Sequence, residues 1–291
     1  MIVLAVDVGG TNLRAALIER GTVLHRTWTA TRPGSADRQA IDLVSRLLRA
    51  HPGLPPAAVG IGVPEYVRAG EVTSNEVVTW APDTASRIAG TVEDATGATV
   101  SVVVEADVRC GAVAEHARLA RPDELSLLYV SWGTGISSAL VLPGGTAWSG
   151  ARGEALALGE WRDPAGRRLE ELASGGGIER GWQLVCGSMA DAVAIHARAV
   201  AGDQRATALF DAAGRALGRA LHQMVAVLDP HVVVLGGGLG TAEHLGRTAL
   251  FAELARLPAR AGFPPVLPAR TGDDAGLLGA AVLAGRAAPP A

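Results

Sequence analysis

Three glycine-rich segments, each fed by an apolar run, and one acidic pair hold the residues best suited to chemistry. The first is Asp7-Val8-Gly9-Gly10-Thr11-Asn12. Glycines let a backbone approach a ligand closely and present bare N–H donors, and the Thr11 hydroxyl adds another. Asp7, at the end of its run, has the character needed to orient a hydrated Mg²⁺. An ordinary hairpin turn is the alternative reading. Ser131-Trp132-Gly133-Thr134-Gly135 repeats the arrangement, as a second phosphate cradle or a second hairpin. Gly236-Gly237-Gly238 strips all side-chain bulk from the end of HVVVL, which suits a flat ring such as adenine.

Glu105-Ala106-Asp107 closes a long apolar run. A carboxylate there is costly unless it is satisfied or used. It is either a helix N-cap, a role Asp fills well, or a working group. No G-x-x-x-x-G-K-[ST] and no G-x-G-x-x-G is present, which argues against P-loop and Rossmann chemistry. The seven histidines show neither H-x-x-x-H nor H-E-x-x-H, so no catalytic metal site of that kind is expected.

The elements that must position these residues follow from periodicity. Continuous β-branched runs at 2–8, 57–66, 99–107, 125–132 and 231–235 read as buried strands. Antiparallel partners are expected at 13–20, 22–30 and 136–142, and a further strand at 263–270. Helical spacing marks 37–50, 86–97, 107–120, 189–200, 205–227, 241–256 and 273–287. The stretch 143–177 reads as irregular apart from a short helix at 167–174. Strands alternating with helices, with glycine turns at 9, 21, 133 and 236, predict α/β lobes that gather ligands at strand carboxyl ends.

Composition narrows the class. The chain has 291 residues, 48% hydrophobic and 19% charged, enough for two lobes with sizeable cores. A net charge of −3 gives no basic surplus for a dedicated nucleic-acid binder. The sequence contains no lysine, so any mechanism that needs one is excluded. Two cysteines, Cys110 and Cys186, are too few for a disulfide scaffold. The N-terminal stretch lacks the basic segment of a signal peptide, and no apolar run approaches the roughly 20 residues of a membrane span. A cytoplasmic protein without membrane partners is expected.

Six blocks occur together in a recognisable order: DVGGTNLRAAL (7–17), GIGVPEYV with NEVVTW (60–80), VEADVRCGAVAEH (104–116), SWGTGISSALVL (131–142), LDPHVVVLGGGLG (228–240) and GDDAGLLGAAVLA (272–284). This arrangement resembles the ROK family, which holds glucokinase-like sugar kinases and sugar-responsive repressors of the actin/hexokinase superfamily. The resemblance implies an α/β fold of two ribonuclease-H-like lobes with an active-site cleft between them. The N-terminal lobe would comprise 1–110 plus 276–291, and the nucleotide lobe 111–275. ATP and Mg²⁺ are the implied cofactors, a homodimer the implied assembly. Asp7, Gly9, Gly10, Thr11 and Asn12 would hold phosphate, with Asp7 reaching Mg²⁺ through water. Gly133, Thr134 and Gly135 would form the second phosphate loop, and Gly236, Gly237 and Gly238 the adenosine pocket. Asp107 matches the catalytic base that accepts the proton of the attacking hydroxyl.

The sequence departs from that pattern where the acceptor should bind. The usual Asn-Asp pair reads Ala106-Asp107, and Gly-Glu-x-Gly-His reads Leu156-Ala157-Leu158-Gly159-Glu160. Glu65 replaces a glycine after Pro64, and the cysteine-rich zinc loop is absent from 165–175, so no zinc site is expected. Glu170 and Asn75 match acceptor-site residues. Phosphate machinery with a rebuilt acceptor pocket is the expectation. Asn75, Glu65, Glu160 and Glu170 would contact a hexose, amino sugar or cyclitol. A ligand-sensing ROK protein without a DNA-binding domain is the alternative.

Overall fold

The computed structural model describes residues 1–257 and 262–288. In chain order it begins β1 (Ile2–Val8), β2 (Asn12–Glu19), β3 (Thr22–Ala30), α1 (Ala36–Ala50), β4 (Ala58–Val63), β5 (Val67–Arg68) and β6 (Glu71–Val72). Next come α2 (Thr84–Thr96), β7 (Ser101–Ala106), α3 (Asp107–His116), β8 (Leu127–Trp132), β9 (Ile136–Val141), β10 (Ala147–Trp148), α4 (Leu169–Ala173) and α5 (Gly175–Cys186). The chain finishes with α6 (Ala192–Val200), α7 (Gln204–Leu228), β11 (Val232–Gly236), α8 (Gly237–Thr241), α9 (Leu245–Arg256), β12 (Val266–Pro268) and α10 (Ala275–Ala287).

Two compact units divide these elements: residues 1–122, 144–155 and 271–291 form one, and 123–143 with 156–270 the other. The first boundary therefore falls at 122 rather than at 110, which lies inside α3. The reason is packing: α3 lies against α10 and β4 of the first unit.

The first unit carries a mixed sheet ordered β3-β2-β1-β4-β7. β1 runs antiparallel to β2 and parallel to β4, which is parallel to β7. Every residue of β4 is buried, as expected for a strand covered on both faces. One face packs on α1 and α2 through Leu43, Val44, Leu47, Ile88 and Val92; the other packs on α10 through Leu277, Ala280 and Ala284. The parallel strands β1, β4 and β7 all end towards 7, 63 and 106, which brings Asp7 and Asp107 to one edge of the sheet.

The second unit repeats the plan with strands ordered β9-β8-β11-β12. β8 pairs antiparallel with β9 and parallel with β11. Its core holds Trp132, Trp182 and Phe210, all essentially sealed from solvent. Two expectations fail here. The stretch to 177 is not irregular to its end, because α5 starts at Gly175. Three successive glycines hide that start: they have poor helix propensity, but Ser174 caps them by accepting from Gly177 N–H at 2.9 Å. Likewise the glycine turn expected at 236, ahead of a helix at 241–256, is itself helical: Gly237 opens α8 directly from β11. The expected helix at 107–120 stops at His116. No helix among the described residues is long and apolar enough to cross a membrane.

Candidate functional site

In the first unit, Gly9 N–H donates to the Asn12 carbonyl at 2.9 Å and closes the turn between β1 and β2. Thr31, just past the end of β3, pins it, its hydroxyl donating to the Gly9 carbonyl at 2.7 Å and its amide to the Thr11 carbonyl at 2.8 Å. Gly10 and Thr11 remain exposed at the tip.

Asp7 stands in register with Arg14 across the hairpin, and Arg14 Nη1 lies 3.7 Å from Asp7 Oδ2. The same nitrogen donates to the Asp273 carbonyl at 2.6 Å, so Arg14 ties the carboxylate to the approach of α10. Gly276, in the first turn of α10, faces the same group: a Cβ there would fall 2.2 Å from Asp7 Oδ1. A methyl at this position would have to displace the carboxylate. Burial pushes the Asp7 carboxyl up to about 6, with Asp274 adding to the rise and Arg14 opposing it.

Asp107 is the first residue of α3. The cap position belongs to Ala106, which offers no side-chain bond, so the aspartate is not the helix's N-cap. Asp107 Oδ1 instead accepts from Val108 N–H at 2.6 Å. Gly62 of β4 is close to both residues: a Cβ there would lie 3.6 Å from Asp107 Cα and 3.7 Å from Asp7 Oδ1. Burial is the main reason that the Asp107 carboxyl is raised to about 7, and repulsion from Asp7, then from Glu65, adds to it. The Val108 amide and Arg109 pull the other way. Arg109 is itself committed, to Glu105 at 2.6 Å and to the Val67 and Gly153 carbonyls. A carboxyl balanced near neutral pH beside a second carboxylate is what proton abstraction or cation binding needs.

Glu65 is buried and saturated. Its Oε2 accepts from the Ser74 hydroxyl at 2.5 Å and Glu76 N–H at 2.8 Å, and its Oε1 from the amides of Val77 at 2.6 Å and Val78 at 2.8 Å. This carboxylate organises the 74–78 loop, a role the sequence reading missed. Glu65→Gln replaces one acceptor oxygen with an NH₂ facing two donors. The expected cost is about 1–3 kcal/mol of stability, measured by urea unfolding. The loop carries Asn75, exposed, whose Oδ1 accepts from Trp80 N–H at 3.1 Å, which leaves its NH₂ as the outward-facing group.

In the second unit, the turn between β8 and β9 is closed by Gly133 N–H donating to the Gly135 carbonyl at 3.0 Å. The amides of Gly175 and Gly176, at the start of α5, donate to the Gly133 and Thr134 carbonyls at 2.8 and 3.1 Å. Glu170 braces the turn from behind, accepting from Ile136 N–H at 2.9 Å. Glu160 is at the surface, paired with Arg168 at 2.9 Å. All three expected acceptor carboxylates thus have partners within their own units.

Beside this turn opens a cavity of about 520 Å³. Gly133, Thr134 and Gly238 line it together with His196, Phe210 and His244, which the sequence did not single out as site residues. Glu179 and Asp191 complete its polar rim. No short motif joins these residues, which come from five separate segments. Among the described residues no group of three or more His, Cys, Asp or Glu side chains is arranged to hold a metal.

Two mixed α/β sheets, each with a strand–glycine turn–strand opening, define a duplicated two-lobe class of protein. The chain belongs to the ROK family, whose model matches residues 3–287. It is 32% identical to the N-acetylmannosamine kinase of Shigella flexneri, over 98% of each chain. It is equally similar to the bifunctional enzyme NanE/NanK of Brucella melitensis over 97% of its length, and spans about half (54%) of that protein. Among solved structures, the ROK hexokinase of Thermus thermophilus superposes with a TM-score of 0.81 at 31% identity, covering 99% of both chains.

Proposed function

We propose that this protein is an ATP-dependent sugar kinase with Asp107 as general base. The observation that supports it most is the placement of Asp107: at the mouth of β7, beside Asp7, with a carboxyl raised to about 7. Such a group can take the proton of an attacking hydroxyl at physiological pH. Asp7 fits a Mg²⁺ site chemically, because two facing carboxylates of raised pKa repel each other and a dication relieves that repulsion. Asp7 would hold the ion through water, and the ion would supply charge neutralisation on the phosphates. Gly9, Gly10, Thr11 and Asn12 would contribute backbone and hydroxyl donors in the first unit. Gly133, Thr134, Gly135 and the Gly236-Gly237-Gly238 segment would receive nucleotide in the second. A homodimer, implied by the resemblance, and a cytoplasmic location, expected from the sequence, belong to the same proposal.

The acceptor we favour is an uncharged sugar, with N-acetylmannosamine first among the candidates on the strength of the similar kinases. The saturation of Glu65 and the ion pair of Glu160 argue against a free amino sugar, since neither is spare for an ammonium group. Asn75 offers an NH₂, which suits a hydroxyl or acyl oxygen. Coupled-assay rates with N-acetylmannosamine, mannose, glucose, a cyclitol and mannosamine test this. An N-acyl or neutral sugar is expected to exceed mannosamine in kcat/KM by about tenfold or more, the cost of one unpaired polar contact. A preference for mannosamine would overturn the acceptor assignment. Binding of ATP and sugar without turnover would favour a ligand sensor.

A further inference from the structure

His244 holds together the two glycine segments that line the cavity of the second unit. It is the N-cap residue of α9, where its side-chain Nδ1 accepts from Arg247 N–H at 3.3 Å. That bond leaves the proton on Nε2, which donates to the Leu239 carbonyl of α8 at 2.7 Å. The ring is 8% exposed and meets Trp132, Phe210 and His196 edge-on, with centroids 5.1, 5.6 and 6.0 Å away. Trp132 immediately precedes Gly133. Its carbonyl also lies under Gly237, where φ is +75° and a Cβ would fall 2.5 Å from that oxygen. One imidazole therefore touches the strand end that carries the 133–135 turn and bonds the helix that carries Gly237 and Gly238.

We infer that His244 is the positioning residue that fixes the spacing between the 133–135 turn and the 237–239 segment, and so sets nucleotide affinity. The inference rests on the proposal that this cavity receives ATP. Helix capping alone is a competing role, and substitution separates the two. His244→Ser keeps an N-cap acceptor but loses the bond to Leu239 and the ring. His244→Gln offers an amide N–H near the Nε2 position. Desolvation lowers the His244 pKa, so the neutral, singly protonated ring is the form present near pH 7.

Calorimetric titration with Mg²⁺-ATP and steady-state kinetics on the full chain provide the test. His244→Ser is expected to raise the ATP Kd and KM by about tenfold or more, the effect of one lost buried hydrogen bond, with the acceptor KM unmoved. His244→Gln should recover most of the loss. Wild-type ATP affinity in a folded His244→Ser protein would overturn the inference and leave the kinase reading standing. Absence of ATP binding by the wild-type chain would overturn both. A shift of acceptor KM equal to that of ATP KM would mark a general structural role and also overturn it.

Discussion

Asp107→Asn is expected to lower the rate of phosphoryl transfer by ~10²–10⁴-fold, the usual contribution of a positioned base, while ATP still binds. Asparagine keeps the size and the Val108 contact but takes no proton from a hydroxyl. Two pH dependences with opposite signs accompany the loss. The base works deprotonated, so the wild-type rate should climb through about pH 7 and level above it, and the variant should lack that limb. Stability runs the other way. The carboxyl's pKa is raised on folding from 3.8 to about 7, so the neutral form is preferred in the fold. Its stabilising contribution is complete below 3.8 and is lost as pH rises through about 7. The permanently neutral variant should then unfold at higher temperature than wild type at pH 8, with the difference closing towards pH 4. Thermal scans at the two pH values and a pH–rate profile measure both. Undiminished turnover in Asp107→Asn would remove the base assignment. A lower melting temperature at pH 8 would show that the ionised carboxylate is favourably solvated in the fold.

The fold was legible wherever one physical signal dominated. Buried parallel strands such as Val59 to Val63 and Val232 to Leu235 show as unbroken apolar runs, and Gly97 marks the end of α2 by its left-handed φ of +72°. Helix α5 was illegible because its first turn is Gly175-Gly176-Gly177, whose propensity points away from the helix. Its stability comes from the Ser174 cap and from amides donated to Gly133 and Thr134, contacts that span some 40 residues of sequence. The same limit explains the acceptor carboxylates. Residue type alone suggested that Glu65 faces a ligand, whereas its four donors lie 9 to 13 positions downstream in a loop without periodicity. His196, Phe210 and His244 were equally silent, since they converge only once α6, α7 and α9 are packed.

Gly279→Ala is expected to be the most destabilising single-methyl change in α10. A Cβ at Gly279 would lie 1.7 Å from the Cys110 carbonyl oxygen and 2.3 Å from its carbon. That obstacle is the backbone of α3, not a side chain that can rotate aside. On the strand side, a Cβ at Gly60 of β4 would lie 2.0 Å from the Ala280 carbonyl oxygen. The helix therefore touches α3 and β4 backbone to backbone, and an added methyl must push one of them away. Overpacking costs typically 1–3 kcal/mol, and a clash with the Cys110 main chain, which cannot rotate aside, puts this one at roughly 3 kcal/mol or more. Cys110 is three residues beyond Asp107 on the same helix, so any displacement of α3 also moves the carboxylate relative to Asp7. Catalytic rate in the folded fraction should fall with stability. Gly285→Ala is the control, because it lies on the same helix with only the Met1 Cε within 4 Å, at 3.6 Å. There the helix-propensity gain should leave stability unchanged or raise it by up to about 1 kcal/mol. Urea unfolding of the two variants decides the point. Equal midpoints would mean that α10 has room above Cys110, and with it that Asp107 is not held by backbone contact with this helix.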